Sequence, residues 1–157
     1  MVNLHIRLDL HNCRADPTYL THAEMEVVIL ELVRAAGLTV RRSLLDQFGG
    51  DGYNHLISIS ESHVVIDTSP EERFVLIDIV TCNFTRDNFE KARDLAKRLV
   101  ALFRPDPKES TVEEKIRGLT PDKTPPCRTV SLEKWLAENA PSTVSTSITV
   151  PSYDCYD

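Results

Sequence analysis

The sequence predicts an α+β fold: a two-layer sandwich in which two helices cover one face of an antiparallel β-sheet. Three observations carry this. Leu4, Ile6, Leu8 and Leu10 alternate with His5, Arg7, Asp9 and His11, the period-two pattern of a half-buried strand. Two stretches, near Met25–Ala36 and Phe89–Phe103, repeat apolar residues at helical spacing. Between those stretches lie several short apolar runs broken by turn residues, so the order is strand, helix, strands, helix.

Each element has its local reason. Asp16-Pro17 is a turn, and Thr21 followed by Glu24 matches a capping box ahead of Met25, Val28, Ile29, Leu32 and Ala36. Gly37 is placed to end that first helix. A strand is expected over Leu38–Leu45, then a loop, "FGGDGYN", over Phe48–Asn54. Three more strands are expected over His55–Ser60, Val64–Thr68 and Phe74–Thr81. In the second helix Phe89, Ala92, Ala96, Leu99 and Phe103 share a face, and Pro105 and Pro107 stop it. A sheet covered on one side leaves its other face bare, and a second copy would bury it, so a homodimer is expected.

From Asp106 onward Pro, Thr, Ser and charged residues dominate. The organisation predicted is therefore a domain over 1–105 and a tail over 106–157, mobile or loosely docked. Within the tail a short helix is expected at 132–139, capped by Ser131, with Trp135 anchoring it to the domain.

Composition narrows the function classes. The chain has 157 residues, 41% of them apolar, and a formal net charge of −6. The acidic balance argues against a nucleic-acid partner. No apolar run is long enough to span a bilayer. Cys13, Cys82, Cys127 and Cys155 show neither CxxC pairing nor zinc spacing, so reduced thiols, a cytoplasmic location and no metal are expected.

One stretch does not behave as a plain strand. "ISESHVVIDTSP", Ile59–Pro70, sets an acid, a hydroxyl and an imidazole side by side at Glu61, Ser62 and His63. There is no GxSxG elbow at Ser62, so a serine hydrolase is a poor fit. The wider window, Ile59–Cys82, resembles the bacterial and archaeal S-adenosylmethionine decarboxylases, whose pattern is Glu-Ser-His, then Ile-His-Thr-Trp-Pro-Glu, then a strand with Asp, then Thr-Cys. The resemblance extends over about the first 104 residues.

That resemblance implies a self-processing enzyme of polyamine synthesis. Ser62 would attack the Glu61 carbonyl, the amide would become an ester, and elimination would split the chain, leaving a pyruvoyl group made from Ser62. The pyruvoyl carbonyl would form a Schiff base with the substrate's amine and act as electron sink while CO2 leaves. Cys82 matches the thiol that returns the proton to the α-carbon. Phe48 matches an aromatic that holds adenine, and Glu71 matches the carboxylate on the ribose hydroxyls.

Departures from the pattern concern the same functions. The family's processing histidine stands here as Asp67, its tryptophan as Ser69, and its processing serine as Asn54. Leu45-Asp46-Gln47-Phe48 replaces a Phe-His-x-Phe segment, so Asp46 takes a histidine's place. An aromatic and two histidines leave while two aspartates arrive. Such a pocket suits a smaller, more cationic amine held by Asp46, Asp51 or Asp67, and divergent family members act on arginine or ornithine. Two alternatives to an S-adenosylmethionine decarboxylase therefore stand: an arginine or ornithine decarboxylase, and an unprocessed, non-catalytic homologue that binds or regulates.

Overall fold

The computed structural model describes residues 2–15, 25–48, 52–83, 86–118 and 127–140. The Asp16-Pro17 turn, the Thr21–Glu24 capping box, Asp51 and Cys155 lie outside them. The elements are β1 (Val2–Leu10), α1 (Met25–Ala35), β2 (Val40–Gln47), β3 (Tyr53–Ile59), β4 (Ser62–Ser69), a 3-10 turn at Pro70–Glu72, β5 (Phe74–Asn83), α2 (Phe89–Phe103), β6 (Thr111–Gly118), β7 (Cys127–Ser131) and α3 (Leu132–Glu138). The strands form one sheet in the order β2-β3-β4-β5-β1-β6-β7, and every pairing is antiparallel.

Alternation decides which face is core. Leu4, Ile6, Leu8 and Leu10 of β1 are buried, and the register sets Ile6 beside Ile79 and Leu8 beside Ile77 of β5. Onto that layer α1 brings Met25, Ile29 and Val33, and α2 brings Ala92, Leu95, Ala96, Leu99 and Phe103. The small alanines of α2 let helix and sheet approach closely.

Two expectations change. The strand read over Leu38–Leu45 begins at Val40 instead. Gly37 takes φ 79° and the Leu38 amide still donates to the Val33 carbonyl, so Leu38 closes the end of α1 and its side chain stays in the core. The larger correction lies after residue 105. Composition predicts a mobile or loosely docked tail there, yet β6 pairs along β1 from Val2↔Gly118 to Asp9↔Thr111, β7 pairs with β6, and α3 follows. The helix layer therefore holds three helices on the same face.

The physical reason is a buried carboxylate that periodicity does not reveal. Glu114, on the core face of β6, is 7% exposed. It accepts from Arg93 Nε of α2 at 3.0 Å and from the Trp135 indole N–H of α3 at 2.9 Å, with Arg128 at 3.5 Å. Burial pushes the Glu114 carboxyl up, but the bonds from Arg93 and Trp135 and the charges of Arg93 and Arg128 outweigh it and hold it below the usual carboxylate range. Leu132 and Trp135 complete the seal, both fully buried. Ser131 caps α3 by accepting from the Lys134 amide.

On the opposite face of the sheet the side chains of β2 to β5 include exposed Leu44, Leu56 and Leu76. Among the described residues no helix is long and apolar enough to cross a membrane.

Candidate active site

The β3–β4 connection is a two-residue turn, Ser60-Glu61, with Ile59 paired to Ser62. Tight hairpin turns usually place glycine or asparagine where φ is positive. Here the positive φ falls on Ser62, at 128°, a value that L side chains rarely adopt. Asn12, Arg73 and Arg104 also have positive φ, but near 50°, in the ordinary left-handed well. A residue held like Ser62 stores on the order of 1–3 kcal/mol, and the surroundings must impose it.

Those surroundings are identifiable. The Cys82 amide of β5 donates to the Glu61 carbonyl oxygen at 3.0 Å. Asn88 is buried and its side-chain amide donates both to the Glu61 carboxylate and, at 3.0 Å, to the Cys82 carbonyl. Ser62 sits opposite Thr81, next to Cys82 in the strand. The Ser62 hydroxyl lies 3.2 Å from Nδ1 of His63, whose ring is on the open face of the sheet and exposed. Nothing in the local sequence marks Asn88 as part of this turn. It is a helix-start asparagine, but its side chain makes no cap bond to α2 and clamps the turn instead.

A second group gathers at the other end of the same face. Asn54 and Asp67 are directly opposite in the β3–β4 ladder, and the Asn54 amide donates to the Asp67 carboxylate. Asp46 is the β2 partner of Asn54. Phe48 is 50% exposed, and its amide donates to the Gly52 carbonyl at 2.9 Å. Gly52 is needed there: an added Cβ would meet the Thr68 carbonyl oxygen at 2.5 Å, with the Phe48 ring and Pro70 at 3.4 Å. That close approach collects Phe48, Ser69 and the Pro70–Glu72 turn, which carries exposed Glu71, at one place.

Thus Glu61, Ser62, His63 and Cys82 come together, and Asp46, Phe48, Asn54, Asp67, Ser69 and Glu71 come together. The two groups do not meet within one chain. Ser62 and Asp67 are five residues apart on one strand, roughly 16 Å. On the helix side of the β3–β4 turn the cavity bounded by Glu61, Thr81 and Asn88 is about 60 Å³, too small for a nucleotide-sized ligand. The open face offers a groove of about 350 Å³ over Leu44, Leu56, His63 and Val65. Among the described residues no cluster of three or more His, Cys, Asp or Glu is arranged to hold a metal.

Residues 4–118 match the family described as S-adenosylmethionine decarboxylase, so the likeness continues through β6 and beyond residue 104. An S-adenosylmethionine decarboxylase proenzyme of Clostridium botulinum is 29% identical over 114 residues, covering 73% of this chain and 92% of that protein. A proenzyme of the same name from Carboxydothermus hydrogenoformans is 27% identical over 128 residues, covering 82% and 95%. The crystal structure of the adenosylmethionine decarboxylase from Aquifex aeolicus superposes with a TM-score of 0.63 at 25% identity, covering 78% of this chain and 96% of that one.

Proposed function

The chain belongs to the S-adenosylmethionine decarboxylase family, and on that premise we propose that Glu61-Ser62 is the junction at which it splits itself and that the working enzyme is a homodimer. It is a pyruvoyl-dependent decarboxylase made as a proenzyme, acting in polyamine synthesis. One observation carries the reading: the only described serine with a positive φ is Ser62, and the carbonyl it would attack already accepts a backbone N–H from Cys82. A donor fixed on that oxygen stabilises the charge that develops as the hydroxyl adds. Breaking the peptide also releases the strain held at Ser62.

The residues fit the prosthetic group. Once Ser62 has become a pyruvoyl group, that group supplies the electron sink for loss of CO2 from the substrate. Cys82, beside it, is the thiol available to return a proton. Phe48 offers a ring face to a nucleobase, and Glu71 a carboxylate to ribose hydroxyls. With Ser69 where an aromatic would stack, the second face of that sandwich is missing, a loss of roughly 1–3 kcal/mol by analogy with base stacking elsewhere.

The separation of the two groups supports the dimer. The open face is acidic at one end, with Asp46 and Asp67, and basic at the other, with Arg42, His63, His5 and Lys115 aligned across the strands. Leu44, Leu56 and Val65 lie between. A two-fold axis running across the strands would set the basic end of one copy on the acidic end of the other and bury the leucines. Each Ser62 and Cys82 would then face the other copy's Asn54, Asp67, Phe48 and Glu71.

The test is a mass measurement followed by an activity assay. The purified protein should separate under denaturing conditions into two fragments, one beginning with a pyruvoyl group in place of Ser62, and should release labelled CO2 from S-adenosylmethionine. Ser62→Ala should stay whole and inactive. Turnover by the Ser62→Ala chain, or release from arginine or ornithine alone, would overturn the reading.

A further inference from the structure

Conversion of the Glu61-Ser62 amide to an ester needs a base for the Ser62 hydroxyl proton, and the candidates near that hydroxyl differ in what already holds them. The Glu61 carboxylate accepts from Asn88, which also bonds the Cys82 carbonyl, so it is tied to the helix side of the turn. Asp67 of the same chain is roughly 16 Å away along β4 and is engaged by Asn54. The Cys82 backbone N–H is on the Glu61 carbonyl, where it acts as an oxyanion donor and not as a base. The basic side chain seen within hydrogen-bond reach of the hydroxyl is His63, whose Nδ1 lies 3.2 Å from Ser62 Oγ.

We propose that His63 is the catalytic base of the first processing step, a role that rests on the self-splitting reading above. A neutral imidazole with its proton on Nε2 presents a lone pair at Nδ1. As Oγ of Ser62 bonds to the Glu61 carbonyl carbon, its proton passes to Nδ1. The C–N bond of the former peptide then breaks, and the same proton goes to the departing Ser62 nitrogen, which becomes a free amine. No other reactant is needed, and one proton is taken and returned. The strained φ of Ser62 favours this direction, because the constraint disappears when the amide becomes an ester. Adjacency in sequence keeps His63 within reach whether or not a second copy is present.

The experiment is a time course of splitting after cell-free synthesis of the full chain, followed by intact mass, for the native chain, His63→Ala and His63→Gln. His63 is exposed, so both variants should fold. Samples are also treated with hydroxylamine, which cleaves an ester at Glu61 and leaves a hydroxamate there. The native chain should split. His63→Ala and His63→Gln should split at least about 100-fold more slowly, the usual size of a lost general base. Both should resist hydroxylamine, and added imidazole should restore splitting to His63→Ala. Splitting of His63→Ala within about threefold of native would overturn the proposal. Hydroxylamine cleavage at the native rate in a slow variant would also do so, because the ester would then form without His63. A native chain that stays whole and resists hydroxylamine would remove both this inference and the self-splitting reading. Native splitting with unaffected variants would remove this inference alone.

Discussion

Removing the Trp135 side chain should cost the protein most of what its last helix contributes. Trp135 is fully buried and its indole N–H donates to Glu114 at 2.9 Å. An aromatic of this kind buries about 150–250 Å². At about 25 cal/mol per Å² that is roughly 4–6 kcal/mol, an upper bound because the unfolded chain already hides some surface. Core Trp→Ala changes cost about 3–5 kcal/mol, so Trp135→Ala should fall near about 4 kcal/mol. Trp135→Phe keeps one aromatic ring but loses the pyrrole half of the indole and with it a bond to a carboxylate, worth about 1.5–3 kcal/mol. Its cost should sit at the low end, because Arg93 still holds Glu114. Urea unfolding reads this directly. For m near 2 kcal/mol/M, the midpoint should drop by about 2 M for Trp135→Ala. The comparison belongs in a Ser62→Ala background at fixed protein concentration, so that neither splitting nor association shifts the baseline. A drop below about 0.3 M would refute the reasoning and return residues 127–140 to the status of a loosely held tail.

Two further outcomes follow from the same structure. His55 is fully buried and its pKa is lowered by that burial, against a weaker opposing pull from Glu26, so the folded state resists protonating it. Unfolded chains take up that proton near pH 6.5, so stability should fall as pH drops below about 6.5. A second loss should begin as pH falls through the usual carboxylate range, where unfolded chains protonate this group while the folded state still holds Glu114 ionised, and should end once the folded carboxyl is protonated. Urea midpoints between about pH 2.5 and 8 check this, and a His55→Gln chain whose midpoint still falls between about pH 6.5 and 5.5 would assign the upper loss elsewhere. The second outcome concerns the dimer. Cys82→Ala and Glu71→Gln chains should each be inactive alone. Expressed together, they should recover about a quarter of native decarboxylation, since half the dimers are mixed and each mixed dimer rebuilds one intact site. Recovery no greater than the sum of the two single variants would place Cys82 and Glu71 in the same chain's site.

What could be read in the sequence was whatever repeats locally. The alternation of β1 and the helical spacing of Met25, Ile29 and Ala92–Leu99 each follow from one element meeting one face of the core, so periodicity exposes them. The Glu-Ser-His junction was legible as a cluster of residue types. Its strain was not, because the φ of Ser62 is imposed by Cys82 and Asn88, 20 and 26 residues further on. The segment after residue 105 is illegible in the sequence for a related reason. β6 carries few apolar residues and buries an acid in mid-strand, which reads as solvated unless Arg93, Arg128 and Trp135 are known to surround it. In the sequence Gly52 is one glycine of a loop. Its need is set by the Thr68 carbonyl across the sheet.

The paired change at Asn54 and Asp67 acquires a different meaning from this geometry. Taken one at a time along the chain, each looks like the loss of a processing residue. In the ladder they face each other, and an amide donates to a carboxylate. The pair is therefore internally satisfied, and neither partner is left as an orphan that would cost stability. A satisfied pair at the acidic end has little reason to serve as a proton shuttle for a serine at the basic end of the same strand. Either the second copy brings Asp67 to the serine and the contact with Asn54 is exchanged, or the proton moves through His63 alone. The first route makes splitting depend on protein concentration, because it needs the dimer. The second makes it first order and independent of dilution. Splitting rates measured across a hundredfold dilution of freshly made chain separate the two, and a constant rate is the outcome expected here.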